Sequence, residues 1–360
     1  MRRWSAQFDI AGQPVGLGHA AYFIADIASN HDGDIERAKA LVWLCKEAGA
    51  DAAKFQHFKA KHLVSDQGFK QLDVTAAHQD KWGKSVYDVY EENEYRRDWD
   101  ETLKAECDKA DIHFMTSPYD TEAIDTVDPL VPAYKVGSGD ITTPEIISAI
   151  AAKNKPVFMA TGASSLEDVV RAVDVVLDVT PKLALMQCNT NYTGSVENFH
   201  HINLRALETY KTLWPGLMIG LSDHTPGHAT TLGAIALGAC CIEKHFTDDN
   251  DRVGPDHPFS MNPKTWREMV DRTRELEAAL GDGFKRVQDN EKETVIVQRR
   301  ALHLTRDISA GETLTSADLV SLRPAPASAF FPYERPDVVG CSLACDKKKG
   351  EPLRRTDLAD

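Results

Sequence analysis

Eight short runs of apolar, β-prone residues recur along roughly the first 250 positions, and stretches with helical period separate them. The runs are YFIADIA (22–28), AAKFQHF (52–58), IHFMTSP (112–118), AYKVGSG (133–139), PVFMATG (156–162), LALMQCNT (183–190), MIGLSDH (218–224) and CIEKHFT (241–247). Helix candidates lie between them, among them DIERAKALVWLCKEAG (34–49), SLEDVVRAVDVVLDV (165–179) and PGHATTLGAIALGA (226–239). The serine of SSLED, ahead of an acidic first turn, marks a helix start. Eight strands alternating with helices over this length match a closed (β/α)8 TIM barrel. A doubly wound open sheet is the alternative.

One connection is far longer than the rest. Residues 59–96 follow the second strand, and a loop of this length in a compact domain is a lid, a binding element or a local helical insertion. After TWREMVDRTRELEAALG (265–281) the pattern changes. A polar stretch, 284–296, reads as a linker, which places the barrel at 1–283 and a small β-rich domain at 297–360. ISAGETL and KKGEPLRRTDL look like one small unit used twice, a Gly-Glu turn followed by an apolar residue and a Ser/Thr-x-Asp-Leu step. About 64 residues bury a thin core, so this domain is expected to dock on something.

Charge and cysteine usage exclude several classes. The net charge of −14 offers nothing to nucleic acid and is repelled by an anionic membrane. Seven cysteines without a C-x-x-C pair read as reduced thiols in a cytoplasmic protein. No secretory signal is expected, because no apolar run follows the two opening arginines, and no run reaches the length of a membrane span.

In a (β/α)8 barrel the reactive groups gather at the C-terminal strand ends. Those ends carry Asp26; Lys54 and Gln56; Thr116 and Ser117; Lys135, Ser138 and Asp140; Thr161; Asn189, Asn191 and Tyr192; Ser222, Asp223 and His224; and Glu243, Lys244 and His245. Side chains alternate between the barrel interior and the helices, so Lys54 shares a face with Gln56, and Glu243 with His245. His224 and His245 end neighbouring strands. They are either two ligands of a divalent metal that also holds substrate, or hydrogen-bonded histidines at a rim. Lys54 and Lys135 sit inside apolar strands, where a charge needs a partner. Three readings follow: an anion cradle with Ser138, a structural ion pair, or a Schiff-base lysine.

With these residues in view the chain resembles the sialic acid synthase family. The shared motifs are FIADIASNHDGDIERAK, KFQ, TSPYD, PAYKVGSGD, TGASS, QCNTNY, GLSDHT, EKHFTDDNDRVGPDHPFSMNP and RRALHLTRDI, in family order over about residues 20–360. The resemblance implies a (β/α)8 barrel followed by a small antifreeze-like (SAF) domain. It implies condensation of phosphoenolpyruvate with an N-acetylated aldose such as N-acetylmannosamine, using a divalent metal, Mn2+ first with Mg2+ or Co2+ as alternatives. It further implies a domain-swapped homodimer.

Position by position, it puts the metal on His224 and His245 and phosphoenolpyruvate on Lys54, Lys135 and Ser138. Gln56 falls between metal and sugar, and Tyr192, Asp256 and Arg323 fall at the sugar. Thr161, Asn189, Thr190 and Ser222 complete the expected substrate-binding set. Asp140, Asp26 and Lys54 are the expected catalytic residues. The chain departs from the family at four places: Asp26 and Asp140 stand where Glu is usual, Ala160 where Ser is common, and Thr190 at the strand-six Asn. A class I sugar aldolase and a sugar-binding homologue with weakened turnover are the competing functions.

Overall fold

The computed structural model describes residues 4–72, 79 and 82–359. The chain divides into two compact units, Met1–Gly281 and Asp282–Asp360.

The first unit opens with an antiparallel hairpin, β1 (Gln7–Ile10) and β2 (Gln13–Gly16). Ala11 and Gly12 both adopt positive φ, 48° and 94°, at the two turn positions of a tight hairpin. Eight parallel strands then close a barrel. They are β3 (Tyr22–Asp26), β4 (Ala52–His57), β5 (His113–Pro118), β6 (Tyr134–Val136), β7 (Val157–Ala160), β8 (Leu183–Cys188), β9 (Met218–Asp223) and β10 (Cys241–His245). The ring runs in chain order and closes by pairing β10 with β3. All eight expected strands are present and the open-sheet alternative is excluded.

Both faces of each strand are buried, so the runs read as continuous apolar segments rather than alternating ones. The inward face packs Tyr22, Ile24, Ala52, Met115, Phe158 and Met186 into a lower core. Phe8, Ile10 and Val15 of the hairpin join that core and plug the N-terminal mouth. Its strands are only four residues long, too short to give a strand signal in the sequence. The outward face, including Phe23, Phe55, Tyr134 and Leu221, packs against the helices in a separate cluster.

One helix starts at the serine expected to mark it, and others begin at caps of the same kind. Ser165 caps Leu166–Leu177 in a reciprocal box with Asp168. Asp34 caps Ile35–Glu47, and Asn262 caps Pro263–Leu280 with Pro263 at the first helical position. The long 59–96 connection is a helical insertion, with Ala60–Leu63, Asp66–Lys70 and Val86–Glu92 in its described parts. Residues 73–78, 80 and 81 lie outside the described residues.

The second unit begins with a short helix, Lys292–Gln298, in the stretch expected to be a linker. Antiparallel strands β11 (Ala301–Leu304) and β12 (Leu319–Leu322) follow. Its core joins Leu302, Leu304, Leu314, Phe330, Val338 and Leu353 with a few neighbours. The internal duplication is real at atomic level. Glu312 accepts from the Ser309 amide at 2.8 Å and Glu351 from the Lys348 amide at 2.8 Å, each around a positive-φ glycine, Gly311 or Gly350. Asp318 then caps back onto the Thr315 amide at 2.9 Å, as Asp357 does onto the Arg354 amide at 2.8 Å.

Candidate active site

A cavity of about 330 Å3 opens at the C-terminal end of the barrel. Strand parity decides what enters it. Asp26, Lys54, Gln56, Ser117, Lys135, Cys188, Ser222, Glu243 and His245 all stand at inward positions and line it. Ser138, Asp140, Tyr192, His224 and Asp256 reach it from the loops just beyond the strands. Eleven of the fifteen expected site residues therefore meet in one space: Asp26, Lys54, Gln56, Lys135, Ser138, Asp140, Tyr192, Ser222, His224, His245 and Asp256.

Two buried ion pairs form the floor. Lys54 Nζ donates to Asp26 Oδ2 at 2.6 Å, and Gln56 Nε2 donates to the same oxygen at 3.0 Å. Burial pushes the Asp26 carboxyl up, but the Lys54 ammonium and His245 outweigh it and hold it at about 2. Asp26 is thus a fixed anion, and its shorter side chain still reaches both donors. Lys135 Nζ donates to Glu243 Oε1 at 2.9 Å, and Ser222 Oγ donates to the same oxygen at 3.2 Å. Burial depresses the Lys135 ammonium, yet Glu243 more than offsets this and leaves its pKa raised. Ser138 Oγ accepts from the Gly162 amide at 3.0 Å, which ties the Gly-Ser-Gly turn to the neighbouring strand end.

Asp140 stands apart from these pairs. Burial alone raises its carboxyl to about 6. A carboxylate poised there is close to the value that serves proton transfer near neutral pH.

The two histidines converge, with ring centroids 5.3 Å apart. His224 Nδ1 donates to the Asn189 carbonyl at 2.9 Å, so in the neutral ring Nε2 carries the lone pair. Burial, then His245, lowers the His224 pKa to about 3 and keeps the ring neutral. His245 lies between two carboxylates, Nε2 at 3.6 Å from Asp26 Oδ2 and Nδ1 at 3.9 Å from Asp256 Oδ2. Its Nδ1 is buried without a hydrogen bond. Two converging imidazoles, one ring nitrogen left unbonded, are donors that fit a divalent cation. Among the described residues no cluster of three or more His, Cys, Asp or Glu could hold a metal by itself. A metal here would complete its shell with water or substrate. Tyr192 packs edge-on to His224 at 4.4 Å and fixes its ring.

Four expected residues are not in the cavity. Thr161 lies one step past β7, where alternation turns it toward the helices. Its Oγ1 donates to the Met186 carbonyl at 3.1 Å and accepts from Tyr210 at 3.0 Å. Asn189 contributes its backbone carbonyl to His224, while its Nδ2 turns away to the His201 carbonyl at 3.4 Å. Thr190 packs its methyl against Gly162, where an added Cβ would lie 2.5 Å from Thr190 Cγ2. Arg323 belongs to the second unit, where its Nε donates to the Gln298 carbonyl at 2.6 Å.

Other lining residues had been given no role from the sequence. Glu243, Ser117 and Cys188 share the inward parity and were legible in principle. The Cys188 thiol is raised by burial to about 11, so it is not a thiolate nucleophile. The insertion contributes an apolar roof, with Leu63, Val64, Phe69 and Val89 facing the polar floor. That roof had no periodic signal.

Comparison with known proteins gives concordant findings. A model of the NeuB family matches residues 41–285, and a model of the SAF domain matches residues 299–359. The N,N'-diacetyllegionaminic acid synthase of Legionella pneumophila is 34% identical over 349 residues, covering 95% of each chain. The synthase of the same name from Campylobacter jejuni is 33% identical over 318 residues, 86% of this chain and 92% of that one. A crystal structure of an N-acetylneuraminic acid (sialic acid) synthetase from Leptospira borgpetersenii, in complex with citrate, superposes with a TM-score of 0.68 at 25% identity, covering 82% and 97% of the two chains. A putative spore coat polysaccharide biosynthesis protein E from Chromobacterium violaceum superposes with a TM-score of 0.74 at 25% identity, covering 94% and 100%.

Proposed function

The chain belongs to the NeuB family of nonulosonic acid synthases, enzymes that form a carbon–carbon bond, and on that basis we propose that it condenses phosphoenolpyruvate with an N-acetylated aldose such as N-acetylmannosamine. The products are phosphate and a nine-carbon 2-keto-3-deoxy sugar acid. The observation that carries this reading is one cavity holding two buried lysines, two converging imidazoles and a carboxylate raised to about 6.

Lys54, Lys135 and Ser138 bind and orient the anionic phosphoenolpyruvate so that its C3 faces the aldehyde carbon. His224 and His245 would hold a divalent metal, manganese first, with Asp26 and Asp256 beside them. When bound, the metal supplies Lewis-acid polarisation of a carbonyl oxygen. Attack by C3 leaves positive charge on C2. Water adds there, and Asp140 takes its proton, as its position and its raised pKa suit it to do. The carbon–oxygen bond to phosphate then breaks and leaves the 2-keto group.

The Schiff-base alternative needs a neutral amine. Lys135 is held as ammonium by Glu243, and Lys54 is bonded to Asp26 and Ser117. Neither presents a free amine. Phosphate release from phosphoenolpyruvate, screened against candidate aldoses with manganese present, tests the reading. Release with no aldose in the panel, while substrate binding persists, would favour a sugar-binding homologue.

Arg323 and the small domain enter through the same proposal, as a partner-supplied contact to the sugar's N-acetyl group. Co-expressed Arg323→Ala and His224→Ala chains should then recover roughly a quarter of normal activity, because mixed dimers carry one intact site. Mixed dimers without recovery would refute the swap. Among the described residues no helix is long and apolar enough to cross a membrane.

A further inference from the structure

We infer that Glu243 is the positioning residue for Lys135 and that it competes with the incoming anion for that lysine. The inference rests on the proposed role of Lys135 in binding phosphoenolpyruvate. β6 and β10 lie on opposite sides of the eight-strand ring. The Lys135–Glu243 bond, 2.9 Å long, therefore spans the barrel interior rather than joining neighbours. A lysine has four rotatable side-chain bonds, and this contact is what fixes its end. Ser222, paired in register with Glu243 on the adjacent strand, steadies the same carboxylate oxygen at 3.2 Å.

The other oxygen is the informative one. Glu243 Oε2 is buried, lies in a residue lining the cavity, and has no hydrogen-bond partner. An unmet buried acceptor is costly, and in this pair it belongs to a residue that lines the cavity. The unmet oxygen leaves this carboxylate incompletely paired in the wall of the space that the substrate's phosphate or carboxylate must enter. The lysine is thereby held in place, but its attraction for an anion is tempered by a charge that repels the same anion. Such a balance limits how tightly the floor retains substrate and the phosphate that leaves.

Three proteins, wild type, Glu243→Gln and Glu243→Asp, separate this from a structural role. Each is checked for folding by its thermal transition. Binding of phosphoenolpyruvate and of inorganic phosphate is measured by calorimetry on the metal-loaded protein, beside kcat and KM. Gln keeps the shape and an acceptor for Lys135 but removes the charge. It should bind both anions at least about fivefold more tightly, since a buried charge is weakly screened, and its kcat should fall as phosphate leaves more slowly. Asp keeps the charge but withdraws by one methylene. It should lower kcat by about tenfold with anion affinity changed less than about threefold. Glu243→Gln that folds but binds neither anion more tightly overturns the inference, as does Glu243→Asp with wild-type kcat, a result that decides the matter even if the Gln variant does not fold. Wild-type protein that binds neither anion overturns the reading of the site and this inference together.

Discussion

Glu243 and Lys244 are neighbours on one strand, and each belongs to a buried lysine–carboxylate pair, but they face opposite sides of it. Lys244 points out toward the helices and meets Asp223. Every part of that pair is closed: Asp223 Oδ2 also accepts from Thr225 Oγ1 and Thr230 Oγ1, both at 2.7 Å, and Lys244 donates to the Thr225 carbonyl at 2.6 Å. The inward pair of Lys135 and Glu243 leaves an oxygen unmet. The same two residue types thus do different work. A pair that closes its hydrogen bonds locks two strands to a loop, and a pair with an unmet acceptor in a cavity wall can answer to a ligand.

The largest expected effect falls on the inward side alone. His224→Ala and His245→Ala should each remove most phosphate release, about 10³-fold or more if metal chemistry carries the reaction, while the thermal transition stays near that of wild type. A chelator should do the same and manganese should reverse it. Stripped protein with full activity would break the assignment of these histidines.

Asp140 comes next. Asp140→Asn should lower kcat by about 10²–10⁴ with phosphoenolpyruvate binding preserved. The wild-type rate should also follow the titration of this group. Its folded pKa, about 6, lies above the ordinary carboxylate value of 3.8. It is protonated and unable to accept a proton below that range, so kcat falls as pH drops through about 6. The linkage to stability has the opposite sense. A raised folded pKa favours the protonated form, so that contribution is full below about 4 and is lost as pH rises through about 6. The Asn variant should therefore be no less stable than wild type at pH 8. A rate flat between pH 5 and 7 would remove Asp140 from the proton transfer.

Most of this was legible before any coordinates. Apolar runs at regular intervals announced eight strands, and their two-residue period put Lys54 with Gln56, and Glu243 with His245, on shared faces. The serine of SSLED located one helix start. What lies outside the cavity has physical reasons of its own. Thr161 follows the alternation outward, where it meets Tyr210, while Asn189 and Thr190 lie past a strand end, where a hydrogen bond to His201 and the packing at Gly162 set their direction. The hairpin of Phe8, Ile10 and Val15 is too short to show a pattern, and its burial comes only from the barrel mouth it fills. The roof over the cavity arises from helices of four to seven residues, Ala60–Leu63, Asp66–Lys70 and Val86–Glu92, whose facing side chains no local period reveals.

The pairs themselves can be broken one at a time. Lys244→Met leaves the buried Asp223 without its counter-charge and should cost about 3–5 kcal/mol of stability, read as a lower denaturant midpoint. Lys135→Met also strips a buried carboxylate of its counter-charge and should cost a similar amount of stability, but it should in addition raise the KM for phosphoenolpyruvate by about 10²-fold or more. If Lys244→Met raised that KM as strongly as Lys135→Met, the division between a locking pair and a ligand-facing pair would fall.

The finest test removes one hydroxyl from each side. Thr230 gives its Oγ1 hydrogen to Asp223 at 2.7 Å, and Ser222 gives its own to Glu243 at 3.2 Å. Thr230→Val is close to isosteric and deletes a hydrogen bond to a buried carboxylate, which is worth about 1.5–3 kcal/mol. The lost stability should appear with kcat and KM within about twofold of wild type, since the carboxylate keeps Lys244 and Thr225. Ser222→Ala deletes a longer bond to a carboxylate already short of partners, so its stability cost should stay below about 1 kcal/mol. Its effect should appear instead as a shift of about two- to fivefold in the KM for phosphoenolpyruvate, because the oxygen that Ser222 steadies is the one that holds Lys135. Opposite signatures from two hydroxyls on adjacent elements would sharpen the distinction to single hydrogen bonds, and matching signatures would dissolve it.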